Sequence, residues 1–199
     1  MHIIFFLLCL CLSLQLNAET NVLLFAGSTR KDSYNKKLIA EAAAIVQKMG
    51  AKATLIDLKD YPMPFYDGDL EAESGMPEMA KRLQKLMIAS DVIIISSPEY
   101  NSSIPAVLKN AIDWTSRAET GGSSRIAYKD KKFMLLSVSP GSGGGKRALV
   151  HLRAIIEAIG GTVMQKQLSV PHASKAFDTK QEIPVKHELQ ELLSEAITK

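Results

Sequence analysis

Val92-Ile93-Ile94-Ile95-Ser96-Ser97-Pro98-Glu99-Tyr100-Asn101 is the stretch whose reading decides the fold. Its first part is an unbroken run of β-branched side chains. Such a run suits a central parallel strand covered on both faces, where alternation with polar residues is not required. Its second part turns abruptly to proline, carboxylate, aromatic ring and amide. A strand that feeds straight into a loop of that kind places it at the C-terminal edge of the sheet, where open α/β sheets bind ligands.

Outward from this strand, strand and helix signals alternate in both directions. Upstream, Asn21 to Ala26 reads as a short buried strand ending at Gly27. Ser33 to Met49 then has helical spacing, with Leu38, Ile39, Ala42, Ile45, Val46 and Met49 on one side and Gly50 as the stop. Ala53 to Leu58 is a second strand. Tyr61 to Gly75 reads as a loop, with turn chemistry at Pro62, Pro64 and Asp67-Gly68. Pro77 to Ser90 is a helix with Met79, Leu83, Leu86 and Met87 as its apolar stripe. Downstream, a helix opens at Pro105 and runs to about Arg117. A strand over Lys132 to Val138, a helix over Lys146 to Ile159 closed by Gly160-Gly161, a fifth strand over Thr162 to Leu168 and a final amphipathic helix over Pro184 to Thr198 complete the chain. The pattern predicts a flavodoxin-like three-layer α/β sandwich around a five-stranded parallel sheet of order 2-1-3-4-5.

With 199 residues, the chain is long enough for one domain with a proper core. A net charge of +3, with no basic run, argues against a nucleic-acid partner. Residues 1–18 stand apart, with an apolar run from Ile3 to Leu12 that is too short to span a membrane. They read as a secretory signal peptide cleaved before Glu19, which would put the mature domain, residues 19–199, in the periplasm or outside the cell. The alternative is a hydrophobic extension on a cytoplasmic protein, or a misassigned start, since no Lys or Arg precedes the run and Leu16 occupies a position where a small residue is preferred. Both cysteines, Cys9 and Cys11, fall in this leader, so a chain starting near Glu19 has no disulfide, thiol nucleophile or cysteine-bound metal.

In a parallel sheet the loops after the first, third and fourth strands share one edge, and these are the loops of unusual composition. The first, Gly27-Ser28-Thr29-Arg30-Lys31-Asp32-Ser33-Tyr34-Asn35, brings hydroxyls, backbone N–H groups and an arginine to a helix N-terminus, the donors and potential a phosphate needs. It is neither a dinucleotide fingerprint nor a Walker sequence, and Ser33 as a plain helix cap beside a solvated Arg30 would also account for it. The second loop, Ser97 to Pro105, offers Tyr100 as a face for a flat heteroaromatic ring, with Glu99 and Asn101 beside it and two prolines to stiffen it. The third, Ser139-Pro140-Gly141-Ser142-Gly143-Gly144-Gly145-Lys146-Arg147, has glycines that let backbone approach a ligand closely, or that simply make a flexible connection. It fails as a P-loop, because Pro140 and Arg147 occupy positions that need Gly and Ser or Thr. His151, His172 and His187 are scattered, without metal-ligand spacing. No nucleophile elbow is present. Asp113 and Trp114 read as packing and capping, and Met76, Met79 and Met87 as core filler.

With these loops in view, the chain resembles the NADPH-dependent FMN reductase family, in particular its class I chromate and quinone reductase branch. The resemblance is carried by Gly27 to Asn35, by Ser97-Pro-Glu-Tyr-Asn101 running into Pro105-Ala-Val-Leu-Lys-Asn-Ala-Ile-Asp-Trp114, and by Gly144-Gly-Lys-Arg-Ala148 with His151-Leu-Arg153. It implies FMN as cofactor and NADPH or NADH as co-substrate. Ser28, Thr29, Arg30, Ser33, Tyr34 and Asn35 would hold the phosphate. Pro98, Glu99, Tyr100 and Asn101 would border the ring and ribityl chain, with Ser139 and Gly141 near the ring. It further implies a small-molecule electron acceptor such as a quinone, chromate, an azo compound or free flavin, and a homodimer or homotetramer in contact through the helix from Pro105 and the loop before it. Members typically begin at the first strand, so the leader departs from the pattern. The competing class is a flavodoxin-type electron carrier without turnover. Such carriers are strongly acidic, and this chain is mildly basic.

Overall fold

The structure, a computed structural model, describes residues 19–177 and 185–197. The leader read in residues 1–18 lies outside these, as do the first and last residues expected of the final helix. The elements run β1 (Asn21–Ala26), α1 (Tyr34–Lys48), β2 (Lys52–Asp57), α2 (Gly68–Ser74), α3 (Glu78–Ile88), β3 (Val92–Ser96), α4 (Ala106–Thr115), β4 (Lys132–Val138), α5 (Lys146–Ala158), β5 (Thr162–Val163), β6 (Leu168–Val170), α6 (Ala173–Ala176) and α7 (Val185–Ile197). The sheet is parallel throughout, in the order β2-β1-β3-β4-β5, with β6 also paired to β4. This is the flavodoxin-like order that the sequence predicts.

Strand alternation sorts the apolar side chains into two cores. Val22, Leu24, Val92, Ile94, Met134 and Leu136 pack beneath α1 and α7. Leu23, Phe25, Ile93, Ile95, Phe133 and Leu135 pack beneath α3, α4 and α5. All five residues of β3 are buried, as its unbroken β-branched run requires.

Three elements differ from the sequence reading. The expected fifth strand is broken, because Phe133 pairs with Val163 and Leu136 with Leu168, so five residues advance on one strand against three on the other. The Arg153 guanidinium takes up the carbonyls freed in the gap, those of Val163 (3.3 Å), Met164 and Gln165 (3.2 Å). The Tyr61–Gly75 segment is not a plain loop, since Asp67 caps α2 by accepting from the Asp69 N–H (2.8 Å), and Gly75 ends the helix at φ 70°. The turn residues Asp67-Gly68 are thus a helix start, and Pro64 carries a carbonyl that receives the Trp114 indole N–H (2.8 Å). The short α6, four residues long, has no periodicity to announce it in the sequence.

Candidate functional site

At the C-terminal edge of the sheet, between α1 and the loops after β3 and β4, lies an open cleft of about 210 Å³. It is lined by Arg30, Asp32, Ser33, Tyr34 and Asn35 from the first loop, Pro98, Glu99 and Tyr100 from the second, and Val138, Ser139 and Pro140 from the third. Eight of the residues singled out in the sequence therefore meet in one place. Ser28, Thr29, Asn101 and Gly141 are not on its lining. A larger hollow of about 340 Å³ lies on the far side of α1, against β2, and holds none of the expected residues.

The start of α1 is prepared for an anion. The first helical bond runs from the Lys37 N–H to the Ser33 carbonyl (3.1 Å), so the N–H groups of Tyr34, Asn35 and Lys36 precede any helical partner. Ser33 sits at the cap position, yet its side chain makes no capping bond. The first turn carries no acidic residue, although carboxylates are the usual complement of a helix N-terminus. Arg30 and Lys31 are exposed beside it, and of the two acids in the lining, Asp32 and Glu99, the second is already paired with Arg147. Ser28 serves the loop itself: it is buried and accepts from the Arg30 N–H at 3.3 Å. The Tyr34 ring packs against Phe177, with centroids 5.9 Å apart.

Asn35 braces the edge. Its side-chain oxygen accepts from the Ser96 hydroxyl (2.9 Å) and the Val138 N–H (3.1 Å), and its nitrogen donates to the Val138 carbonyl (3.0 Å). One buried amide thus ties α1 to the ends of β3 and β4. Ser137 adds a rung by donating to the Ser97 carbonyl at 2.7 Å.

The second loop is a tight turn. Tyr100 and Ser103 exchange backbone bonds of 2.9 and 3.0 Å, with Asn101 and Ser102 at φ 50° and 67°. Tyr100 is 46% exposed, so its aromatic side chain is open to a planar ligand. Glu99 is occupied: its carboxylate accepts from the Arg147 and Ala148 N–H groups at the start of α5 and from the Arg147 guanidinium. The Arg147 hydrogen bond outweighs burial and holds the Glu99 carboxyl below the ordinary glutamate range.

The glycines of the third loop have another reason than ligand approach. A Cβ on Gly145, at φ +86°, would lie 1.8 Å from Ser137 Oγ, and one on Gly144 would lie 2.4 Å from Ser169 Oγ. These two let the loop close on its own sheet, while a Cβ on Gly143 would meet nothing within 4 Å and one on Gly141 only Ser139 Oγ at 3.8 Å. Among the described residues no group of three or more His, Cys, Asp or Glu side chains is placed to hold a metal ion.

An open anion cradle and an exposed aromatic face, set on the C-terminal edge of a flavodoxin-like sheet, define the class of protein as one built for a phosphorylated planar ligand. Residues 20–175 match the NADPH-dependent FMN reductase family, and the chain belongs to it. A NAD(P)H:quinone oxidoreductase of potato is 37% identical over 131 residues, covering 65% of this chain. The match spans 63% of the potato enzyme, somewhat under two thirds of its length. An NAD(P)H-dependent FMN reductase of Pseudomonas aeruginosa is 33% identical over 161 residues, 80% of this chain and 82% of that one. Among solved structures, the flavoenzyme NAD(P)H:(acceptor) oxidoreductase FerB of Paracoccus denitrificans superposes with a TM-score of 0.75 at 26% identity, over 89% of this chain and 95% of that one.

Proposed function

We propose that the cleft binds FMN and that the protein oxidises NADPH or NADH, passing the electrons to a small-molecule acceptor. The observation that carries this reading is the start of α1, with unsatisfied N–H groups, an idle Ser33 hydroxyl and flanking Arg30 and Lys31. A phosphate monoester completes it. Bound FMN would accept hydride and release electrons in turn, chemistry that belongs to the cofactor rather than to a side chain.

The residues of the chain hold and orient. Arg30, Ser33 and the first-turn N–H groups of α1 take the phosphate. Pro98, Tyr100 and Ser139 border the ring, and Asn101 shapes the turn beside it. The Asn35 amide keeps the three loops in register before any ligand arrives, so less ordering is required on binding. Arg30→Ala should weaken FMN retention by roughly tenfold, the size of a charge-assisted contact. With excess FMN it should leave the rate of NADPH oxidation nearly unchanged. Equal FMN retention in both proteins, measured by quenching of flavin fluorescence, would remove the assignment.

The names of the relatives favour a quinone as acceptor, with chromate, azo compounds and free flavin as the other members of the class. A homodimer or homotetramer in contact through α4 and the preceding loop fits the exposed Tyr100 there; light scattering of the purified protein tests it. We read residues 1–18 as a cleavable leader and residues 19–199 as the flavodoxin-like domain, on the apolar run Ile3 to Leu12. The mass of the protein recovered from cells decides between export and a retained extension. Among the described residues no helix is long and apolar enough to cross a membrane.

A further inference from the structure

The turn that borders the proposed flavin ring is braced from outside as well as by its own backbone. Ser102 at φ 67° occupies the left-handed region without being glycine, and Asn101 beside it is at φ 50°. Two consecutive positive-φ residues suit a two-residue turn, but Ser102 stands where glycine is the usual occupant, so the turn gains from outside support. Within the turn, only the Tyr100–Ser103 bridge closes it. Two further contacts come from outside, and both are made by α5.

At one end of the turn, Glu99 accepts from the Arg147 N–H (3.1 Å), the Ala148 N–H (3.4 Å) and the Arg147 guanidinium (2.8 and 2.5 Å). Gly145, at the cap position of α5, has no side chain to offer, so Glu99 caps this helix from a neighbouring loop. At the other end, the Ser103 hydroxyl bonds to His151 Nδ1 at 3.0 Å. Arg147 and His151 are four residues apart, one above the other on the same helix face. The exposed turn Tyr100-Asn101-Ser102 is therefore gripped on both sides by a single turn of α5.

We propose that Arg147 and His151 are positioning residues, forming with Glu99 and Ser103 a latch by which α5 sets the shape of the flavin-ring loop. The latch rests on the FMN reading for its consequence, but not for its existence. Glu99 acts through α5 rather than as a ligand, its carboxylate being taken up by the Arg147 and Ala148 N–H groups and the Arg147 guanidinium. The loop is thereby shaped before binding, so a bound ring would require less reordering of its backbone.

The test uses the full chain with Glu99→Gln, Arg147→Ala, Arg147→Lys, His151→Ala and the Glu99→Gln/Arg147→Ala double variant. FMN affinity is read from flavin fluorescence, and amide exchange over Tyr100–Ile104 is read in the FMN-free protein. The latch predicts about a tenfold loss of FMN affinity for Glu99→Gln and a smaller loss for Arg147→Ala and for His151→Ala. The double variant should be no worse than Glu99→Gln, since the two act on one contact. Arg147→Lys should recover part of the Arg147→Ala loss, and each single variant should exchange faster over the turn. A loss confined to Glu99→Gln, with Arg147→Ala and His151→Ala like wild type in both measurements, would make Glu99 a direct ligand and overturn the latch. So would a lowered melting temperature with unchanged FMN affinity and turn exchange. If the wild-type protein binds no FMN, the functional reading fails, and the exchange data alone decide whether the latch stands.

Discussion

Asn35 lies 61 residues from Ser96 and 103 from Val138, and bonds to both. Its place in the first loop was legible in the sequence, but its partners were not, because amide hydrogen bonds at such separations leave no local pattern. Asn35→Ala would strand the buried Val138 N–H, its carbonyl and the Ser96 hydroxyl. The expected cost is about 2–4 kcal/mol in urea unfolding, the penalty for buried polar groups left without partners. Gly145 is a second case. Gly145→Ala forces a Cβ against Ser137 Oγ at 1.8 Å and keeps φ at +86°, so it should destabilise by at least ~2 kcal/mol. Gly141→Ala meets nothing closer than 3.8 Å and should stay within about 0.5 kcal/mol of wild type. Equal denaturation midpoints for the two would show that the third loop does not need its glycines for packing. The sequence alone does not separate these glycines, since the difference lies in which of them faces Ser137 and Ser169.

Helices and strands with strong periodicity were legible to within a residue or two. Lys132 to Val138 is a strand as expected, and β3 follows from its β-branched run. What escaped was set by tertiary partners. The fifth strand breaks where Arg153 collects carbonyls. The α2 helix is short, and it is held by Glu71, which accepts from Arg117 at 2.8 Å twice and from the Tyr66 hydroxyl at 3.0 Å. Such a buried carboxylate inside a polar stretch reads as solvated surface until Arg117, 46 residues on, is folded against it. The Arg117 hydrogen bond outweighs burial and holds the Glu71 carboxyl below its ordinary value of 4.5. Its contribution is therefore fully present above that pH and is lost as the pH falls through the lower folded value. Glu71→Gln should be less stable by about 2 kcal/mol at pH 7, with a deficit that shrinks below about pH 4. Urea midpoints at pH 7 and pH 3.5 check this, and a deficit that does not change with pH would mean that the ion pair is not its source.

At the scale of the whole molecule, two cores press a parallel sheet between helix layers, and the strand order sends three loops to one edge. That edge was the most legible feature of all, since it follows from alternation and from composition after each strand. The division of labour within it was less so. The Ser33 side chain makes no capping bond and Arg30 is exposed, while Asn35 and Glu99, which look equally like ligands in the sequence, spend their side chains on bracing the frame.

The central claim is tested most directly by the absorbance spectrum of the purified protein after FMN is added and washed out, recorded before and after anaerobic NADPH or NADH. Retained flavin bands that bleach on addition of the reductant are the predicted result. Bands that stay unbleached with either nucleotide would contradict the reductase reading in favour of an electron carrier, and no retained flavin would contradict the phosphate site at the start of α1.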